Sequence, residues 1–184
     1  MIDLAATGAY LAPIAKAKPM LLYADSLTKV AWQALAAVWY RESNCRMINN
    51  PFQFDPIPPN ALLEWLLKGY SDCDPNQTAE VISKGLSDFR SAAVLAACFL
   101  KHECHYVLGT YPFPAYDIYA DAFYGYNGRA YGDNPLNSPY VANQLDDHHT
   151  NMSFRGTING KWIDIIDHRP GALTVYEQLV AAKV

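Results

Sequence analysis

Apolar positions recur along most of this chain at the spacing of one helix face, in several separate runs. From Ser26 onward, Leu27, Ala31, Ala34, Leu35 and Val38 fall within a stripe of about 100° when successive residues are turned by 100°, and Lys29, Gln33 and Tyr40 take the opposite side. Ser26 stands where a capping hydroxyl belongs. The same reading predicts helices over residues 61–68, 78–86, 91–105, 115–124, 138–145 and 173–182. The 91–105 segment is apolar nearly all round and is expected to be the central buried helix. Residues 1–25 are alanine-rich and contain Pro13 and Pro19, and they read as a helical arm. Residues 152–166 follow a different rule: two strand-like runs flank Asn159-Gly160, the pair preferred where both turn residues need positive φ. Pro170-Gly171 then separates this segment from the last helix. The expected fold class is therefore mainly α (α+β), with a small C-terminal β-hairpin.

The loops are short. Residues 49–60 hold four prolines and three asparagines, residues 109–114 are similar in character, and no segment repeats another. At 184 residues, 51% hydrophobic and 17% charged, the chain has the material for one packed core, so a single domain is expected. A net charge of −4 is the wrong sign for binding driven by phosphate neutralisation, which argues against nucleic acid. The longest plain apolar run, residues 92–100, stops at Lys101 and is too short to span a bilayer, so no membrane insertion is expected. Asp3 stands where a secretory signal carries lysines, which predicts synthesis in a cytoplasm without a signal peptide. Four cysteines, Cys45, Cys73, Cys98 and Cys104, form no CxxC pair, and mostly reduced thiols are expected. The chain is expected to be a monomer.

Glu42 is the residue that needs an explanation. On the helix that begins near Ser26 it lies at the azimuth of Leu35 and Val38, inside the apolar stripe. Burial disfavours its ionised form and so does the negative end of the helix dipole; both raise its pKa toward the range of a working general acid. The other reading is a helix that ends one turn earlier, with Glu42 exposed or paired to Arg41 or Arg46.

Arg41-Glu42-Ser43, followed by Asn50-Pro51-Phe52-Gln53-Phe54-Asp55, resembles the Glu-Ser and Gly-Leu-Met-Gln signatures of lytic transglycosylases and goose-type lysozymes. The run from Ala122 through Tyr126-Asn127-Gly128 resembles the family's Ala-Ala-Tyr-Asn-Ala-Gly, and Ser138-Pro139-Tyr140-Val141 resembles its Tyr-Val motif. The four motifs come in the family's order and cover residues 26–145. The resemblance implies a lysozyme-like fold and cleavage of the β-1,4 bond between N-acetylmuramic acid and N-acetylglucosamine in peptidoglycan glycan strands. It implies Glu42 as catalytic acid and base, with Ser43 beside it. Gln53 would donate to substrate, Tyr126 and Asn127 would line the cleft floor, and the Tyr140 hydroxyl would approach the catalytic carboxyl. Asp55, two residues after Gln53, resembles the aspartate of goose-type lysozymes and is a possible second carboxylate, able to activate water in an inverting hydrolase. The interval from Glu42 to Gln53 is shorter than the family's. A murein enzyme without an export signal implies a phage product, released through a holin or carried in a virion.

Each of these residues also has a plainer reading. Tyr126 and Tyr140 can be edge-of-core tyrosines, Gln53 can satisfy loop backbone, Ser43 can be a helix-end hydroxyl, and Asp55 can be a solvated loop acid. Cys98, His102 and His105 share a helix face next to Cys104, and Asp146-Asp147-His148-His149 cluster in sequence, but neither spacing matches a standard zinc site. No metal and no cofactor is expected. A chitinase-like glycosidase and a catalytically idle wall-binding or tail module are the competing functions.

If Asn159-Gly160 forms the predicted turn, Gly160→Val places a β-branched side chain where positive φ is required. The substitution is expected to lower the melting temperature, read by circular dichroism, by an amount equivalent to about 1–2 kcal/mol. An unchanged melting temperature would mean that the turn lies elsewhere.

Overall fold

A computed structural model describes residues 4–52, 73, 80, 83–110, 123, 126, 138, 140–141, 153–158, 161–166 and 169–182; residues 4–9, 102–110 and both strands are described by backbone alone. The architecture is mainly α. Helix α1 spans Leu4–Thr28, α2 Trp32–Ser43, α3 Phe89–Thr110 and α4 Ala172–Ala181. Strands β1 (Ser153–Ile158) and β2 (Lys161–Ile166) pair antiparallel, in register from Ser153 opposite Ile166 to Ile158 opposite Lys161. The predicted helices over 61–68 and 115–124 lie outside the described residues, apart from Phe123. Of the predicted 78–86 helix, residues 83 and 84 are in a turn and Gly85 has φ +80°, so it ends before its predicted boundary.

The first 25 residues are more than an arm. α1 buries Tyr10, Ile14, Ala17, Leu21 and Ala24 at 0–2% exposure, a stripe of alternating four- and three-residue steps, and packs most extensively on α3. Pro13 and Pro19 lie inside the helix, where each removes a backbone hydrogen bond at a cost of about 3 kcal/mol. The continuous buried stripe is what offsets that cost. Both helices bring alanines to the shared core, Ala17 and Ala24 from α1 and Ala92, Ala93, Ala96 and Ala97 from α3. Small side chains let helix backbones approach closely.

Ser26 does not cap the second helix. Its hydroxyl donates to the Tyr23 carbonyl at 2.7 Å, inside α1, which runs on to Thr28. The chain breaks at Lys29, a non-glycine residue at φ +64°, where the buried Thr28 hydroxyl donates to Ala24 O at 2.8 Å. α2 then starts at Trp32, whose backbone N–H donates to the Asp25 carboxylate at 3.1 Å. A side chain from the last turn of one helix thus satisfies the first turn of the next. The predicted stripe was split between two helices because the periodicity runs through the break. Tyr40 is a second correction: it is buried, with its ring centre 4.7 Å from that of Tyr10, because α1 covers the face predicted to be solvated.

α3 begins two residues before its predicted start and ends five residues after its predicted end. Its cap is Asp88, whose carboxylate accepts from the Ser91 N–H and hydroxyl, both at 2.9 Å. Those bonds hold the Asp88 carboxyl below its ordinary range. Every described side chain from Ser91 to Leu100 except Phe99 is buried, as expected of a central helix. No described helix is long and apolar enough to cross a membrane.

The expectation of reduced thiols is overturned at one pair. Cys73 and Cys98 are joined by a disulfide that ties the 73 segment to the middle of α3, with Cα atoms 6.0 Å apart. The sequence spacing gave no sign of it, because the partners meet only through the packing of α3. Cys98 is thereby removed from the candidate metal set with His102 and His105. Among the described residues no cluster of three metal-ligating side chains occurs. Cys45 is free and buried, and burial pushes its thiol up to about 12.

The disulfide closes a loop across 25 residues of sequence, so Cys73→Ala with Cys98→Ala, or reduction of the native chain, is expected to lower unfolding free energy by about 2–4 kcal/mol. Urea denaturation with and without reductant checks this. Superimposable curves would show that the bond does not stabilise the fold.

Candidate functional site

Glu42 is the next-to-last residue of α2, a helix packed between α1 and α4 and touching α3. Ten of its twelve residues are buried, and Glu42 is half-buried. The chain leaves α2 through Asn44 and Cys45, at φ +54° and +57°, and Asn44 N–H closes on the Tyr40 carbonyl at 2.8 Å. Two adjacent left-handed residues turn the backbone sharply back on itself. The turned loop is held from beneath: the indole of Trp39 donates to Arg46 O at 3.0 Å, and Ser43 Oγ lies 3.1 Å from Trp39 O and 3.3 Å from Arg46 O. Ser43 is thus a helix-end hydroxyl that fixes the turn next to Glu42, at 6% exposure.

Burial raises the Glu42 carboxyl from the ordinary carboxylate range to about 7, while the guanidinium groups of Arg41 and Arg169 pull it back down. The earlier helix end is overturned, because α2 runs through Glu42 to Ser43 and leaves the carboxyl half-buried, while the Arg41 guanidinium does act on it. Arg46 is itself exposed, and its carbonyl, rather than its charge, is what the site uses.

Tyr126 and Tyr140 come to the same place from far along the chain. Their rings are stacked with centres 6.1 Å apart, and Phe99 of α3 meets Tyr126 edge-on at 5.1 Å. The Tyr126 hydroxyl donates to the Phe52 carbonyl at 3.0 Å, which joins the 126 motif to the residue just before Gln53. Its phenol is pushed well above the ordinary range, first by burial and then by the negative charge of Glu42. Tyr126 therefore stays a neutral donor. Tyr140 is 4% exposed and sits beneath the Arg41 guanidinium, 5.8 Å from its ring centre. Among the described residues its buried hydroxyl meets no hydrogen-bond partner. A buried polar atom left in that state costs about 1–3 kcal/mol, so it is the atom here most in need of a ligand or water.

The structure thus brings together Glu42, Ser43, Tyr126, Tyr140 and the Phe52 carbonyl. Gln53, Asp55 and Asn127 lie outside the described residues. Arg169 is the site residue that sequence reasoning missed. It belongs to none of the four motifs, and only the packing of α4 on α2 brings it to Glu42. No family model, curated protein or solved structure matches the chain.

Because the folded carboxyl titrates near 7 and an unfolded one near 4.5, the native state binds the extra proton between those values. This contribution to stability is complete below about pH 4 and is lost as pH rises through about 7. Glu42→Gln removes the titration. The variant is expected to match wild type at pH 4 and to be more stable by on the order of 2 kcal/mol at pH 8. Urea midpoints at the two pH values test this, and equal differences at both would refute a buried, proton-holding Glu42.

Proposed function

We propose that this chain is a peptidoglycan glycosidase of the lytic-transglycosylase type, built on a lysozyme-like helical domain, with Glu42 as general acid and base. One arrangement carries the reading: a half-buried carboxyl at the end of a buried helix acts on Tyr126, which is bonded to the Phe52 carbonyl and stacked on Tyr140. These residues lie in the segments in which the sequence resembles that family. A carboxyl that keeps its proton near neutral pH suits protonation of a glycosidic oxygen.

The chemistry balances on one residue. Protonated Glu42 gives its proton to the oxygen linking N-acetylmuramic acid to N-acetylglucosamine, and the bond from that oxygen to the anomeric carbon breaks. The resulting carboxylate then takes the proton from the C6 hydroxyl of the same muramic acid residue as that oxygen bonds to the anomeric carbon. A 1,6-anhydro ring forms, Glu42 is protonated again, and no water is consumed. Tyr140 offers its buried hydroxyl to this site, while Tyr126 braces it through Phe52. Gln53 and Asn127, each next in sequence to one of these anchors, are proposed to bind the glycan. The alternative is an inverting muramidase in which Asp55 activates water on the opposite face of the sugar. The Cys73–Cys98 disulfide suits an enzyme that acts in the cell wall, beyond a reducing cytoplasm. Release through a holin or carriage in a virion would take a phage-encoded enzyme there.

Purified murein separates the possibilities. Wild type is expected to clear it, and Glu42→Gln, which keeps volume and removes the proton, to lose at least about a hundredfold in rate. Mass spectrometry of the digest should find anhydro-muropeptides that persist in Asp55→Asn. Reducing ends alone, lost in Asp55→Asn, would make the enzyme an inverting muramidase. Cleavage of chitin in place of murein would make it chitinase-like. No cleavage of either by wild type would leave a wall-binding or tail module.

A further inference from the structure

The segment that enters α4 lies outside the four motifs, yet it grips the site from behind. Arg169 donates from its guanidinium to the Arg41 carbonyl at 2.8 Å, and Arg41 donates from its own guanidinium to the Arg169 carbonyl at 3.3 Å. Each arginine thus holds the other's backbone. Arg41 is 4% exposed and packs over Tyr140, and the Leu173 N–H donates to the Tyr140 carbonyl at 2.9 Å. Residues 169–173 therefore hold both the residue before Glu42 and the tyrosine of the last motif.

Among the described residues, the groups that act electrostatically on Glu42 come from three elements: Arg41 from its own helix, Arg169 from the segment leading into α4, and the Tyr126 phenol. Tyr126 stays neutral, so the two guanidiniums are the charges that count, and a guanidinium stays charged at any working pH. We propose that Arg169 is a positioning residue of this site, locking the last turn of α2 against α4 and setting a permanent positive charge beside Glu42. The inference rests on reading Glu42 as the proton donor. Such a donor must hold its proton at rest and then be stable as the anion once the proton has left. Burial serves the first need and a fixed cation the second. Arg41 acts on Glu42 as its neighbour in sequence. Arg169 reaches it only because the chain returns after the strands.

The test is a direct titration of Glu42 in the full chain, by NMR of carboxyl-labelled glutamate. Arg169→Gln keeps an N–H donor for Arg41 and removes the charge. It is expected to raise the Glu42 midpoint by about half a pH unit or more, with Arg169→Lys returning it toward wild type. The alkaline limb of kcat/KM should move up by the same amount. An unchanged midpoint in folded Arg169→Gln would overturn the proposal. Should that variant fail to fold, wild type supplies the measurement. The Arg169 side-chain N–H resonance is expected to shift with the Glu42 midpoint and to stay flat in Glu42→Gln. A flat response in wild type would overturn the proposal equally. Absence of murein cleavage bears on the glycosidase reading and leaves these titrations standing.

Discussion

Burial of α2 through its last turn is the constraint on which the rest of this structure depends. α1 covers one side and α4 another, with α3 also in contact, so the helix has almost no solvated face by the time it reaches Glu42. A carboxylate in that position loses much of its hydration, and the helix end adds carbonyl dipoles of the same sign. The proton is retained because the ionised alternative is expensive. What would be a weakness in an ordinary core becomes a source of acidity near neutral pH.

That constraint demands that the helix end be held in place. Three connections do so, and they come from different parts of the chain. The Arg46 carbonyl, turned back by Asn44 and Cys45, is anchored by Trp39 and Ser43. The Arg41 backbone is tied to Arg169, and Tyr140 is tied to Leu173. Trp39 in turn meets Phe89 edge-on at 4.8 Å, and Phe52 packs on the same ring at 5.6 Å. The first turn of α3, the loop carrying Phe52 and the end of α2 therefore share one aromatic cluster. Displacing any of these rings would move the carboxyl as well as loosen the core.

The tyrosines divide the polar work. Tyr10 donates to Gln178 and so joins α1 to α4, while Tyr126 donates to the Phe52 carbonyl, 74 residues away in the chain. Both hydroxyls spend their hydrogen bonds on architecture. The Tyr140 hydroxyl does not, although it is as deeply placed. Among the described residues it is the one buried side-chain polar atom that the fold leaves unsatisfied, on a ring packed between Tyr126 and the Arg41 guanidinium.

Local pattern determined much of this protein. The helical periodicity located α2, α3 and α4 to within a few residues at most of their ends, and Glu42 was legible because a carboxyl inside an apolar stripe breaks the pattern that surrounds it. Tyr126 and Tyr140, singled out in the sequence, come together in the fold with their rings stacked. Tertiary structure alone decided three other things. It placed the break between α1 and α2 at Lys29, because the cap comes from Asp25, seven residues before the N–H it satisfies, and the apolar period continues through the break. It buried Tyr40, since a helix face is solvated only if no other helix claims it. It joined Cys73 to Cys98 and Arg41 to Arg169, contacts between residues with no shared period or motif. Sequence pattern reports the free energy of one element against a generic apolar phase; which partner supplies that phase, and which charge arrives with it, is fixed only when the elements pack.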